Sequence, residues 1–207
     1  MSTQKQAVKR LRDVHAEATR TALVAAARLR FSEAGFAATS LDDVASDAGT
    51  TKGAVYHHFK DKKALFKEVY EALSKALIAD VSASRGGRGT PAEVALHAFL
   101  VHAGQSAYQR VLFRDGPVVL GTAECRAMDM QYSLGLLTRL IEAEVSPELL
   151  SRVGSEAMAK MLLALFVESA QVIAMAPKPK AMLGGIKVML NRMILALAEP
   201  AEDDAGV

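Results

Sequence analysis

The 207-residue chain has one cysteine, no tryptophan and six prolines, and aromatic side chains make up only 5% of it. A lone thiol, Cys125, excludes an internal disulfide and suits a reducing compartment, so a cytoplasmic setting is expected. No unbroken apolar run approaches the ~18 residues a membrane span requires. The best candidate, Met161 to Val167, is closed by Glu168, so no membrane partner is expected. The opening Met-Ser-Thr-Gln-Lys-Gln lacks the apolar centre of an export signal. Phosphate-loop and dinucleotide fingerprints are also missing; Gly-Gly-Arg-Gly at 86–89 is too short and follows no strand. His97 and His102 lie five apart and turn to different sides of a helix, and His57 and His58 are adjacent, so neither pair has zinc-ligand spacing. No metal, cofactor or catalytic role is expected.

What the chain does have is helix. Half of it (51%) is apolar, enough for a sizeable core. Strand-like alternation and internal repeats are absent, and the apolar residues recur every three to four positions. That periodicity predicts an all-α fold of about nine helices. Net charge is only +2, but residues 1–85 hold 14 of the 25 basic and 10 of the 23 acidic residues. A phosphate-facing surface therefore belongs to the first part of the chain.

Residues 39–62 carry the sharpest signals. Ser40 followed by Asp43 forms a capping box, so a helix begins near Leu41. Leu41, Val44, Ala45 and Ala48 line its apolar side, and Gly49 ends it. Thr51 caps a second short helix, in which Val55 and Phe59 point inward. Lys52, Gly53, Tyr56 and His57 are left on an outward face that is basic, polar and aromatic. Two short helices joined by a glycine turn match the helix-turn-helix, whose second helix enters the DNA major groove. Gly53 would allow close approach of a backbone or a base edge. Lys52, Tyr56, His58 and Lys62 are candidate donors to phosphates.

At Gly-Phe-Ala-Ala-Thr-Ser (35–40), Thr51-Lys52-Gly53, Val55-Tyr56-His57-His58-Phe59, Lys62 and Leu65-Phe66, the chain resembles the N-terminal domain of the tetracycline-repressor (TetR) family over roughly residues 17–75. The resemblance implies that Ser40, Tyr56, His58 and Lys62 contact phosphates and that Lys52, Gly53 and His57 lie against the groove; the capping residue Thr51 is a further candidate DNA-binding residue. Two positions depart from the family pattern: Thr50 replaces a usual valine, and Arg30 replaces an apolar residue. Gln109 to Gly121 resembles a C-terminal domain found in part of the family.

Around this unit, a helix over about 14–34 is predicted to brace the reader. Residues 1–13, with Lys5, Lys9, Arg10 and Arg12, read either as a frayed terminus or as an arm reaching phosphates. The expected domains are a helix-turn-helix domain at 14–60, a connecting helix at 61–85 and a ligand-binding and dimerisation domain at 90–198. Asp61 caps the connecting helix, Arg-Gly-Gly-Arg-Gly (85–89) breaks the chain, and Thr90-Pro91-Ala92-Glu93 starts a helix expected to reach Gln109. Arg114-Asp115-Gly116-Pro117 reads as a turn. Helices are expected over 121–145, from Ser146-Pro147 to Met175, and over 180–198, followed by a loose acidic tail at 199–207.

The last two helices carry more apolar surface than one small domain needs. Leu162, Leu165, Phe166, Ile173, Ile186, Met189, Leu190, Met193, Ile194 and Leu197 are the expected interface of a homodimer. A dimer would hold two readers about 34–36 Å apart, or a multiple of that, on a palindromic operator in double-stranded DNA. Between reader and interface, Phe99, Tyr108, Phe113, Met128, Tyr132, Met161 and Phe166, with polar His102, Gln105, Arg126, Asp129 and Gln171, have the mixture of a small-molecule pocket. Together these residues predict a transcription regulator, expected to be a repressor released by a small-molecule effector. A helical enzyme or carrier of an apolar metabolite, and a DNA-binding protein without an effector, are the alternatives.

Overall fold

Nothing in residues 2–13 breaks a helix, and the brace helix accordingly starts well before Val14: α1 spans Ser2–Glu33. The structure, a computed structural model, describes residues 2–84 and 89–198, without the side chains of 2–9, 11, 12 and 198. The predicted break at 85–88, the acidic tail at 199–207 and the side chains of Lys5, Lys9 and Arg12 lie outside what is described. Gly35, at φ +84°, turns the chain from α1 into the single turn α2 (Gly35–Ala38). There follow α3 (Leu41–Asp47) and α4 (Lys52–His58), then the long α5 (Lys62–Ala83). Leu65, Phe66, Val69, Leu73, Leu77 and Val81 form one buried stripe along α5, which packs on α1 at one end and on the second half of the chain at the other.

The predicted capping box opens α6 (Pro91–Ala103): Glu93 N–H donates to Thr90 Oγ1 at 3.3 Å, and Thr90 N–H donates to Glu93 Oε2 at 2.8 Å. α6 stops at Gly104, short of the expected Gln109. The chain resumes as α7 (Ser106–Tyr108), a π-helical segment (Gln109–Asp115) and α8 (Gly116–Val119). The turn expected at 114–117 is therefore helical. Pro117 sits in the first turn of α8, where its missing N–H costs no hydrogen bond. Then come α9 (Thr122–Glu144), α10 (Pro147–Val153), α11 (Ser155–Met175) and α12 (Pro179–Ala198). The fold is all-α, with 10 helices of seven residues or more among the described residues, the π segment included.

The largest core cluster joins the reader to the rest. Phe31, Phe36 and Phe66 meet with ring centroids 5.1–5.9 Å apart, and the cluster continues through Tyr70 and Leu73 to Val111, Phe113 and Met128. Each fully buried ring or aliphatic side chain there stabilises by about 1.5–3 kcal/mol. Two smaller clusters hold the second half: Leu96, Leu100, Ile173, Ile186 and Leu190 between α6, α11 and α12, and Leu137, Ile141, Met158 and Leu163 between α9 and α11. By length and composition α11 is apolar enough to cross a membrane, contrary to the expectation from unbroken runs. In the fold it is packed by α9, the π segment and α12.

Close packing of α8 on α5 depends on Gly116, where a Cβ would lie 2.6 Å from Tyr70 Cε2 and 2.9 Å from the Val111 carbonyl. Gly116→Ala should cost about 1–3 kcal/mol in urea unfolding. Gly53→Ala, whose Cβ would meet only Thr51 Oγ1 at 3.7 Å, should be neutral or gain up to about 1 kcal/mol. Equal stabilities for the two variants would contradict this packing.

Candidate nucleic-acid interface and internal cavity

Each helix of the reader is capped by its own sequence. Ser40 Oγ accepts from Asp43 N at 3.1 Å and donates to Asp43 Oδ2 at 2.6 Å, and Thr51 Oγ1 accepts from Ala54 N at 3.2 Å. Gly49, at φ +64°, makes the turn, and Thr50 N–H donates to the Ala45 carbonyl at 2.9 Å. Val55 and Phe59 are buried. Thr51, Lys52, Gly53, Tyr56 and His57 are exposed, with Tyr56 at 53% of its surface. Lys52 is held 2.8 Å from Asp42, an exposed pair that must open before the ammonium reaches DNA. His58 is half-buried; desolvation, then His57 and Arg20, lower its pKa.

Lys62 differs from expectation. Its ammonium turns inward over the Phe36 ring, 4.4 Å from the centroid, and donates to the carbonyls of Phe36 (2.8 Å), Thr39 (2.9 Å) and Ala37 (3.4 Å). All three protons have acceptors, so in this conformation it ties the end of α2 to α5 instead of offering a donor to a phosphate. Arg30 explains its own departure from the family pattern: its guanidinium makes two hydrogen bonds to Asp47, at 2.5 and 2.8 Å, joining α1 to α3. That bond raises the Arg30 pKa and lowers that of Asp47.

Two residues that the sequence did not single out join the reader to the second half. Arg110 Nη2 donates to the Ala34 carbonyl at 2.8 Å, and the Phe36 N–H donates to Asp115 Oδ2 at 2.8 Å. Between them Gly35 lets the guanidinium approach; a Cβ there would lie 2.6 Å from Arg110 Nη2. Both side chains project from the π segment, whose Leu112 and Phe113 line internal cavities. Only the short resemblance over 109–121 pointed here.

Three adjoining cavities occupy the second half. An apolar one of about 80 Å³ is walled by Phe99, Leu136, Leu140, Leu162, Phe166 and Leu197. A narrow one of about 30 Å³, with Ser74, Phe113, Asp129 and Tyr132, shares Phe99 and Ser133 with it. A polar one of about 200 Å³, lined by Tyr70, Cys125, Arg126, Asp129, Glu168 and Gln171, shares Asp129 and Leu112 with the narrow one. Of the expected pocket residues, Phe99, Phe113, Arg126, Asp129, Tyr132, Phe166 and Gln171 thus line this system. The other five do not. Met161 is 68% exposed, and Gln105 is also exposed. His102 stacks edge-on against Tyr108, near Asp80; Tyr108 and Met128 are buried in the main core. Helical spacing cannot say which of two apolar faces looks into a void.

The expected interface needs the same correction. Ile173, Ile186 and Leu190 are buried within the chain, and Leu165 and Ile194 pack on that cluster. Leu162, Phe166 and Leu197 line the apolar cavity. Met189 and Met193 are exposed and, by helical spacing, share one face of α12 with Met182; Val172, Met175, Val188 and Leu195 are exposed too, and these and Met182 the sequence reading did not name. α12 is apolar nearly all round, so periodicity left its outer face undetermined.

A polar seam joins α5 to α9. Lys67 binds Glu124 at 2.6 Å, lowering its pKa, and Tyr132 donates to Glu71 at 3.2 Å. Tyr70 Oη lies 3.1 and 3.2 Å from the two oxygens of Asp129. Burial raises the pKa of Tyr70 and of Cys125, and pushes the Asp129 carboxyl up to about 6 from an ordinary 3.8. The folded protein therefore holds the Asp129 proton more tightly than the unfolded chain. Between about pH 4 and pH 6 the unfolded chain has ionised first, so stability falls as pH rises through that window and stays lower above it. Asp129→Asn should abolish this decline and be more stable than wild type at pH 7, by on the order of 2 kcal/mol. Urea unfolding at several pH values tests it; a parallel pH dependence in the two proteins would contradict it.

Comparison with known proteins accords with both halves. Residues 23–69 match the family model described as "Bacterial regulatory proteins, tetR family", and residues 92–197 match "Tetracyclin repressor-like, C-terminal domain". The chain is 39% identical over 89 residues to the HTH-type transcriptional regulator AcrR of Shigella flexneri, a match covering 42% of this chain and 40% of that protein. The alignment thus spans less than half of that relative's length. A TetR-family transcriptional regulator from Pectobacterium atrosepticum superimposes with a TM-score of 0.75 at 29% identity, over 90% of this chain and 98% of that one. RolR in complex with resorcinol has the same fold, with a TM-score of 0.62 at 15% identity, over 94% of this chain and 100% of the other. With a helix-turn-helix reader at one end and a matching helical ligand-binding domain at the other, the chain belongs to the TetR family of DNA-binding transcriptional regulators and is not an enzyme.

Proposed function

We propose that this chain is a cytoplasmic homodimeric repressor that leaves a palindromic operator when a small molecule occupies its C-terminal cavities. One observation carries the reading: the π segment lines the cavities with Leu112 and Phe113 while holding the α1–α2 turn of the reader through Arg110 and Asp115. A guest that shifts this segment shifts the reader with it. To release the operator the guest must favour the shifted state, because binding both states equally moves no population. No membrane takes part. The domains proposed are the reader at 14–60, the connecting helix at 61–85 and the effector and dimer domain at 90–198.

On the reader, Lys52, Gly53 and His57 face the groove, with Thr51 beside them, while Ser40, Tyr56 and His58 approach phosphates. Lys62 acts there by fixing the α2 carbonyls. The second copy covers the face of α12 that exposes Met182, Met189 and Met193, since an exposed apolar face of this kind marks an interaction surface.

A gel shift with the protein's own upstream DNA, with and without a panel of hydrophobic compounds, tests the whole reading. Binding that no compound relieves would favour a DNA-binding protein without an effector; retention of a compound without DNA binding would favour a carrier. Lys52→Ala should weaken DNA binding and alter sequence preference, and it should leave urea stability unchanged. Lys62→Ala should lower stability and weaken binding through a displaced reader, with the salt slope unchanged. A reduced salt slope at unchanged stability would restore Lys62 as a phosphate contact. Met189→Asp with Met193→Asp should convert a dimer to a folded monomer in sedimentation and weaken operator binding; a dimer that survives both changes would rule out this face.

A further inference from the structure

The least satisfied charge in the second half is the Asp129 carboxylate on α9. Its two oxygens share the single proton of the Tyr70 hydroxyl, at 3.1 and 3.2 Å. No lysine or arginine among the described residues forms a salt bridge with it. Asp129 lines both the polar cavity and the narrow one, which shares Phe99 and Ser133 with the apolar chamber. A half-buried carboxylate on a cavity, with no cation in salt-bridge contact, favours a cationic guest.

The geometry points to a protonated amine with an apolar body as the class of ligand the polar cavity of about 200 Å³ takes, its ammonium beside Asp129 and Tyr70 and its body against Leu112, Leu163 and Val167. This rests on the reading above that the cavities hold the effector. An ammonium offers three donors, enough for both carboxylate oxygens, and such charge-assisted bonds are the strong ones. Across the polar cavity stand Glu168 and Arg126, both at its exposed rim. Two carboxylates against one guanidinium disfavour an anion. The neutral Gln171 and Thr122 do not change that balance.

The test uses three probes of one shape on the full chain: 4-phenylbutylamine, 4-phenylbutanol and 4-phenylbutyrate, titrated calorimetrically at pH 7.5. Wild type should bind the amine roughly tenfold or more tighter than the alcohol, and the acid weakest. Asp129→Asn, which keeps an acceptor for Tyr70, should bring amine and alcohol to equal affinity with alcohol binding retained. Glu168→Gln should leave the preference in place. A second readout needs no variant: because Asp129 is partly protonated near pH 6, amine binding at that pH should release protons, seen as a dependence of the heat on buffer ionisation. The groups sharing a cavity with Asp129 are Tyr70 from α5, Cys125, Arg126 and Tyr132 from α9 and Glu168 from α11. Glu168→Gln, titrated alongside, removes the other carboxylate. Alcohol or acid bound as tightly as the amine, an amine preference that survives Asp129→Asn, or amine binding at pH 6 without proton release would overturn the cation proposal and leave the effector reading standing. Failure of all three probes to bind would overturn both.

Discussion

The turn at Gly35 and Phe36 is where the two halves of this protein are held in register. Three side chains from outside α1 and α2 converge on its backbone: Arg110 binds the Ala34 carbonyl, Asp115 binds the Phe36 N–H, and Lys62 binds the carbonyls of Phe36, Ala37 and Thr39. Beneath the turn the rings of Phe31, Phe36 and Phe66 fill the core. A charged donor, a charged acceptor and a buried ring cluster fix both the position and the orientation of a segment that would otherwise be a loose corner. Gly35 is required because it alone leaves space for the Arg110 guanidinium.

From this turn the mechanical path to the DNA-facing helix is short. α1 packs on α3, and α3 on α4, so displacing the end of α1 carries the reader as a unit. α5 gives a second, parallel route. Its first turn holds Lys62, its middle holds Tyr70 beside the polar cavity and Ser74 beside the narrow one, and its far end reaches Val81 at the apolar chamber. A coupling of 1–3 kcal/mol between sites changes affinity by about 5- to 150-fold. Loss of one or two of the charge-assisted bonds at the turn is of that size.

Fold class and family were legible because the signals are local. Ser40, Gly49, Thr51, Asp61 and Thr90 announce caps and stops whatever surrounds them, and the groove-facing side of α4 follows from its two inward residues, Val55 and Phe59. What was not legible depends on partners distant in sequence. Lys62 is basic and next to the reader, yet three carbonyls outside its helix decide where it points. Arg114-Asp115-Gly116-Pro117 has the composition of a turn, but packing of Gly116 on Tyr70 and of Arg110 on Gly35 continues it as helix. α11 and α12 are apolar on more than one side, so their periodicity could not sort Met161 from Phe166 or Met193 from Leu190.

The central claim is that the cavity wall and the reader move as one through the π segment. A double-mutant cycle on affinity for the protein's own upstream DNA tests it most directly, with Phe113→Leu on the cavity side and Arg110→Met on the reader side, neither residue lying on the DNA-facing surface. The account predicts that each change alone alters DNA affinity and that together they deviate from additivity by about 1 kcal/mol or more. Effects that simply add, or a DNA affinity indifferent to both changes, would contradict it.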